Sequence, residues 1–153
     1  AQVRKGVTRM KAMQEEYVNR AMQLRKEGYN CAQAVACAFS DEVGLSEQTL
    51  FSVMEGFGGG MGAHQGTCGA VSGAVAVVGL LTSKGSVESG TKSLSYSRSA
   101  AILSEFLDKN GSLVCKDLLG DETGHVLRTC DGCVEDAVRM VHNLLQKATI
   151  ENK

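Results

Sequence analysis

Residues 68–81, CGAVSGAVAVVGLL, carry no charged side chain and are apolar on every side of a helical wheel. A helix of this kind offers no face to water, so it belongs at the centre of a helical assembly rather than on its surface. Gly69, Ala70, Gly73, Ala74 and Ala76 also keep it thin, which lets neighbouring backbones come close. The chain around it has no proline, no tryptophan and only 5% aromatic residues. Few segments are strongly strand-forming, and that balance favours helices.

Periodicity and caps place the other helices. Met10, Met13, Tyr17, Ala21 and Leu24 share one face over 10–27, a stripe that reads as core packing, and Gly28 is a stop. Asn30 is placed to cap a second helix, CAQAVACAFSDEVG, ending at Gly44. Ser46 caps a third, shorter one through Leu50, Phe51 and Met54, and the fourth runs from about Cys68 to Leu81. Residues 85–97, rich in Ser and Gly, begin as a linker, after which Ala101, Leu103, Phe106 and Leu107 mark a fifth helix ending at KNG. SLVCKDLLG reads as a short helix or turn with Cys115 inside it, and 120–129 as a polar loop carrying His125. A last helix, from about Asp131 to Lys147, sets Val134, Ala137, Val138, Val141 and Leu145 on one face. No internal repeat or low-complexity segment interrupts this order. The expected architecture is all-α: one domain over 1–153, an antiparallel bundle of about six helices around a central small-residue helix.

A net charge of −1 with 22% charged residues leaves no basic footprint for nucleic acid. The cluster Arg4, Lys5, Arg9 and Lys11 reads as a solvated helix start. The most apolar run, Val71 to Leu81, falls short of the roughly 20 residues that cross a bilayer, and 1–20 lack the apolar segment of a secretory leader. The expectation is a cytoplasmic protein without membrane insertion. Six cysteines exceed what a reduced core of this size requires, which points to metal or redox chemistry.

Ahead of Cys68, the stretch GFGGGMGAHQG (56–66) packs six glycines into eleven residues. It is no nucleotide loop: the G-x-G-x-x-G spacing fails in every register, no G-K-[ST] follows and no strand precedes. Glycine loses the most conformational entropy on folding, so this run needs a reason. We expect Gly58, Gly59, Gly60 or Gly62 to take positive φ or to pass against a sulfur-bearing segment. Cys68 sits in the first turn of its helix, where unpaired N–H groups and the macrodipole favour a thiolate. Cys31, just after Asn30, holds the equivalent place on the second helix, so the two thiols could face one another. The alternative for both is a small buried hydrophobe. CDGC, Cys130 to Cys133, has C-x-x-C spacing at the start of the last helix. No βαβ unit accompanies it, Val134 replaces the histidine of a haem attachment motif, and the other cysteines are scattered singly rather than paired for zinc. His64 and His125 read as solvent-facing loop residues, with metal binding or proton acceptance as the alternative, and His142 as a surface residue.

YNCAQAV, GFGGGMG, CGAVSGA, CKDLLG and a late C…VEDAV occur in that order between about Tyr17 and Leu145. This resembles the C_GCAxxG_C_C family of redox-active proteins, named for four cysteines and including a Cys-Gly-Ala-x-x-Gly motif. The resemblance implies that Cys31, Cys68, Cys115 and Cys130 converge on one site for thiol–disulfide electron transfer. Cys68 would then be the attacking sulfur and Cys31 its resolving partner. Cys37 and Cys133 fall where the family has apolar residues, so they read as core or bystander thiols. A related module in the split-Soret cytochromes accompanies an iron–sulfur centre, so the same four cysteines are alternatively ligands of an iron–sulfur cluster or zinc. No cofactor at all is equally open, as is a helical partner-binding domain with inert thiols. Family members are often encoded near transporter genes, which implies an unidentified, transport-related redox partner, and the thin helix leaves a homodimer open.

Overall fold

A computed structural model describes the backbone over residues 2–151 and the side chains over 12–148. The side chains of Met10 and of the basic cluster Arg4, Lys5, Arg9 and Lys11 lie outside the described residues. The protein is an all-α bundle: α1 (Gln2–Lys26), α2 (Cys31–Ala38), α3 (Ser40–Val43), α4 (Glu47–Met54), a 3-10 turn (Glu55–Phe57), α5 (Gly58–Met61), α6 (Gly69–Thr82), α7 (Lys92–Asn110), α8 (Cys115–Leu119) and α9 (Cys130–Glu151). Among the described residues, β pairing is confined to an isolated antiparallel bridge between Thr67 and Val114. None of the described helices is long and apolar enough to cross a membrane.

Caps start the helices where the sequence places them. Asn30 forms a reciprocal capping box: its side chain accepts the Gln33 N–H at 2.9 Å, and the Gln33 side chain accepts the Asn30 N–H at 2.9 Å. Ser46 Oγ accepts the Thr49 N–H at 3.1 Å at the start of α4. The expected second helix is two. Phe39, at φ −107° and ψ 18°, ends α2, and α3 restarts at Ser40 before Gly44 closes it in the left-handed conformation. The break seats the fully buried Phe39 ring on Tyr17, stacked with centroids 4.7 Å apart. Helix α7 starts at Lys92, inside the stretch that reads as a linker.

Helix α6 touches α2, α7 and α9, and its contact with α2 is the most extensive in the bundle. Two glycines permit it. A Cβ on Gly69 would stand 2.4 Å from Cys31 Sγ, and one on Gly73 would stand 2.7 Å from the Ala32 carbonyl oxygen. The helix is central but not enclosed, because Ser72, Val75 and Ala76 face an apolar groove of about 630 Å³ between α4 and α7.

Helix α9 packs along α1 and corrects one expectation: His142 is buried, not on the surface. It follows Val138 by one helical turn and so continues the apolar stripe. Its ring lies 5.4 Å from the Tyr17 ring, with Gln14 Nε2 3.5 Å from Nδ1, and burial lowers its pKa. Near the start of α9 the buried Asp136 accepts two hydrogen bonds from Arg128 at 3.0 Å, one from Asn110 at 3.2 Å and one from Lys109. The carboxylate is thus fully compensated, and it ties α9 to the end of α7.

Replacing Gly73 by alanine should lower stability by about 1–3 kcal/mol, because the new methyl meets backbone that cannot step aside. Gly79 of the same helix has nothing within 4 Å of its Cβ position, so Gly79→Ala should be neutral or stabilising by up to about 1 kcal/mol. Urea denaturation midpoints of the two variants check the contrast.

Candidate functional site

Four helices begin around one cavity, and each brings cysteine to it. Cys31 is the first residue of α2, Cys68 the N-cap of α6, Cys115 the first residue of α8, and Cys130 the first residue of α9. Cys133 follows one turn into α9. Cys31, Cys68, Cys115, Cys130, Cys133 and His64 all line a cavity of about 170 Å³, with Arg25 and Asn30 at its wall. All six cysteines of the chain are free thiols; Cys130 is half-buried and the other five are buried.

The glycine stretch holds this geometry. Gly59, Gly60 and Gly62 have φ of 60°, 59° and 89°, as expected, and Met61 between them has φ 64°. This run curls the chain left-handed, a conformation that costs an ordinary residue about 1 kcal/mol or more. It leaves no room for a side chain at Gly60, where a Cβ would stand 2.4 Å from Cys115 Cβ. The returning segment then pairs with residues 113–116. Cys68 N–H donates to the Leu113 carbonyl at 2.7 Å, Cys115 N–H to that of Gly66 at 3.0 Å, and Lys116 N–H to that of His64 at 2.9 Å. Asn30 closes the other side, its Nδ2 donating to the Glu55 carbonyl at 2.9 Å.

Within the cavity each acidic thiol has another thiol as the main influence on its acidity. For Cys31 that thiol is Cys130, and for Cys68 it is Cys133. Both of these partners lie on α9, which packs on α2 and on α6 and carries residues i and i+3 on one side. Cys133 is therefore no bystander in position; its C-x-x-C spacing was the sequence signal for it. Cys37 is the cysteine that stays apart, its sulfur 3.6 Å from the Glu47 carbonyl oxygen on the far side of α2.

Each pair divides its acidity. The hydrogen bond from Cys130 lowers the Cys31 thiol to a pKa of about 6 against the cost of burial, helped by the backbone N–H groups of Gly59 and Ala32 and by the Arg25 guanidinium. The same hydrogen bond raises Cys130, as burial does. Cys68 is lowered by its hydrogen bond from Cys133 and by the nearby N–H groups of Ala70 and Val71, though no cap hydrogen bond of normal geometry forms. Cys133 is raised correspondingly. Burial pushes Cys115 up to about 11, with the charges of Cys68 and Cys31 adding to it. Arg25 also bonds Asp131 Oδ1 at 3.0 Å, which fixes it beside Cys130.

Of the histidines, His64 lines the cavity, with Nδ1 2.7 Å from Asp121 Oδ2. His125 is exposed in its loop and does not reach the site. Among the described residues no group of three or more His, Cys, Asp or Glu side chains is set to hold a metal ion.

Fold and cavity together define an all-α protein with a cysteine cluster at converging helix starts. The chain belongs to the family described as "Putative redox-active protein (C_GCAxxG_C_C)", which matches residues 29–144. No curated protein and no solved structure matches it.

The acidity order predicts alkylation behaviour. Below pH 6 Cys31 is protonated and slow; as pH rises through about 6 it becomes thiolate, and its iodoacetamide labelling should rise with that midpoint. Cys115 and Cys37 should label only as pH approaches about 11. Peptide-resolved labelling between pH 5 and 9 reads the difference.

Proposed function

We propose that the protein performs thiol–disulfide electron transfer with a disulfide-bearing partner, using Cys31, Cys68, Cys115 and Cys130 as its site sulfurs. The observation that carries this reading is the single cavity lined by all four, each held at the start of a different helix. Four helix starts supply unpaired N–H groups and positive dipole ends, which suit sulfur that must alternate between thiolate and disulfide. Free thiols throughout the chain fit a reducing, cytoplasmic setting.

Access favours one order of events. Cys130 is the half-buried sulfur, so a partner's disulfide meets it first. Its proton passes along the hydrogen bond to Cys31, and the Cys130 thiolate attacks, forming a mixed disulfide and releasing one partner thiolate. Cys31 then loses that proton to His64, which Asp121 holds at the wall, and attacks the Cys130 sulfur. The products are a Cys31–Cys130 disulfide and a second partner thiolate; two electrons have gone to the partner, and both thiolates take up protons. Cys115 and Cys68 flank this pair.

An iron–sulfur cluster is the second reading, favoured by four cysteine sulfurs lining one cavity, which would have to draw together because no three of them are set to hold a metal as they stand. Cys31, Cys68, Cys115 and Cys130 would hold it, and it would supply one-electron chemistry.

Reduced protein treated with glutathione disulfide should form disulfide reversibly by mass and regain its thiols in dithiothreitol. Cys130→Ser should abolish this oxidation and Cys37→Ala should leave it unchanged. Oxidation of Cys130→Ser at the wild-type rate would overturn the thiol reading. So would stoichiometric iron and sulfide in anaerobically purified protein, or thiols that stay inert.

A further inference from the structure

Cys133 lies outside the four cysteines that the proposed function uses, yet it is 1% exposed and lines the same cavity. Its neighbours are fixed: the Cys133 N–H donates to the Thr129 carbonyl at 2.9 Å, and one turn further Asp136 is anchored by Arg128. The start of α9 therefore cannot swing the sulfur away. Cys31 Sγ rests on Gly69, the residue after Cys68, so the starts of α2 and α6 are side by side. Residues three apart on a helix advance about 4.5 Å along its axis. That step lets Cys130 meet the sulfur of α2 while Cys133 meets the sulfur of α6.

We propose that Cys133 is a fifth working sulfur, which forms with Cys68 a second dithiol pair behind the Cys31–Cys130 pair, so that one cavity stores two disulfides. This rests on the thiol–disulfide reading above. Buried position alone does not make the case, since Cys37 is equally buried but faces the Glu47 carbonyl away from the cavity. What distinguishes Cys133 is that it lines the same cavity as Cys68 and shares the first turn of α9 with Cys130.

Neither sulfur of the inner pair is exposed as Cys130 is, so this pair is oxidised by exchange with the outer one. The Cys133 thiolate attacks the Cys130 sulfur of the Cys31–Cys130 disulfide; a Cys130–Cys133 bond forms and Cys31 leaves as thiolate. The Cys68 thiolate then attacks the Cys133 sulfur; a Cys68–Cys133 bond forms and Cys130 leaves. The protons lost by Cys133 and Cys68 pass to the released Cys31 and Cys130. The shuffle moves one disulfide inward with no net change in electrons, and the regenerated outer dithiol reacts with a second disulfide oxidant. Four electrons and four protons leave the protein in all.

The experiment is exhaustive oxidation of the reduced full chain with glutathione disulfide, an acid quench, alkylation of remaining thiols, and disulfide mapping. Wild-type protein should lose four hydrogens and map to Cys31–Cys130 and Cys68–Cys133. Cys133→Ala should lose two, and Cys37→Ala four. Wild-type protein that stops at two hydrogens with Cys31–Cys130 linked and Cys133 alkylated overturns the second pair and leaves the proposed function intact. Cys68 mapped to any partner other than Cys133, or four hydrogens lost by Cys133→Ala, also overturns it. Wild-type protein that loses none overturns the thiol–disulfide reading itself. If Cys133→Ala does not fold, as judged by its thermal melt, the wild-type map decides.

Discussion

The site depends on how closely α6 can approach α2. Cys31 Sγ occupies the space a side chain at Gly69 would need, and the Ala32 carbonyl occupies that of Gly73. Any larger residue at either position would push the helices apart and separate the two cysteines at their starts. The same contact forms the centre of the bundle, so packing and site share one requirement: core stability and sulfur geometry rise and fall together.

Around that contact, the protein arranges charge so that buried thiolates are tolerable. A bare thiolate under cover would be costly, and burial does act against ionisation at every site cysteine. At Cys31 the opposing groups are a thiol donor, two backbone N–H groups and Arg25; at Cys68 they are a thiol donor and the N–H groups of its own helix start. Acidity and access are thereby divided between partners. Cys31 carries the charge inside, while Cys130, less acidic, is the sulfur that solvent reaches.

Local chemistry was legible in the sequence wherever it is carried by one or two residues. Asn30, Ser46 and Gly44 mark their helix ends because capping depends on side chains within three positions. The all-apolar, thin α6 announced a central helix, and the glycine run announced unusual backbone ahead of Cys68. What escaped was decided across helices. That Cys133 joins the other four cysteines in one cavity follows from how α9 packs on α2 and α6, which no local pattern states. Cys133 looked like a core position because it is one: it is buried as core residues are, and it also faces the cavity. His142 escaped because a polar side chain on an apolar stripe is ambiguous until Tyr17 and Gln14 are seen to enclose it. The break at Phe39 is a tertiary demand as well, set by where the ring must stack.

The central claim is that the cysteines at the converging helix starts exchange electrons as a unit while the remaining buried cysteine does not. Carbon-13 shifts of the cysteine β-carbons, recorded on the folded protein through a series of glutathione redox buffers, test it most directly. The account predicts that Cys31 and Cys130 move together and reversibly from reduced to oxidised values while Cys37 stays reduced at every potential. Shifts that remain reduced at all site cysteines throughout the series, or a Cys37 that changes with them, would contradict it.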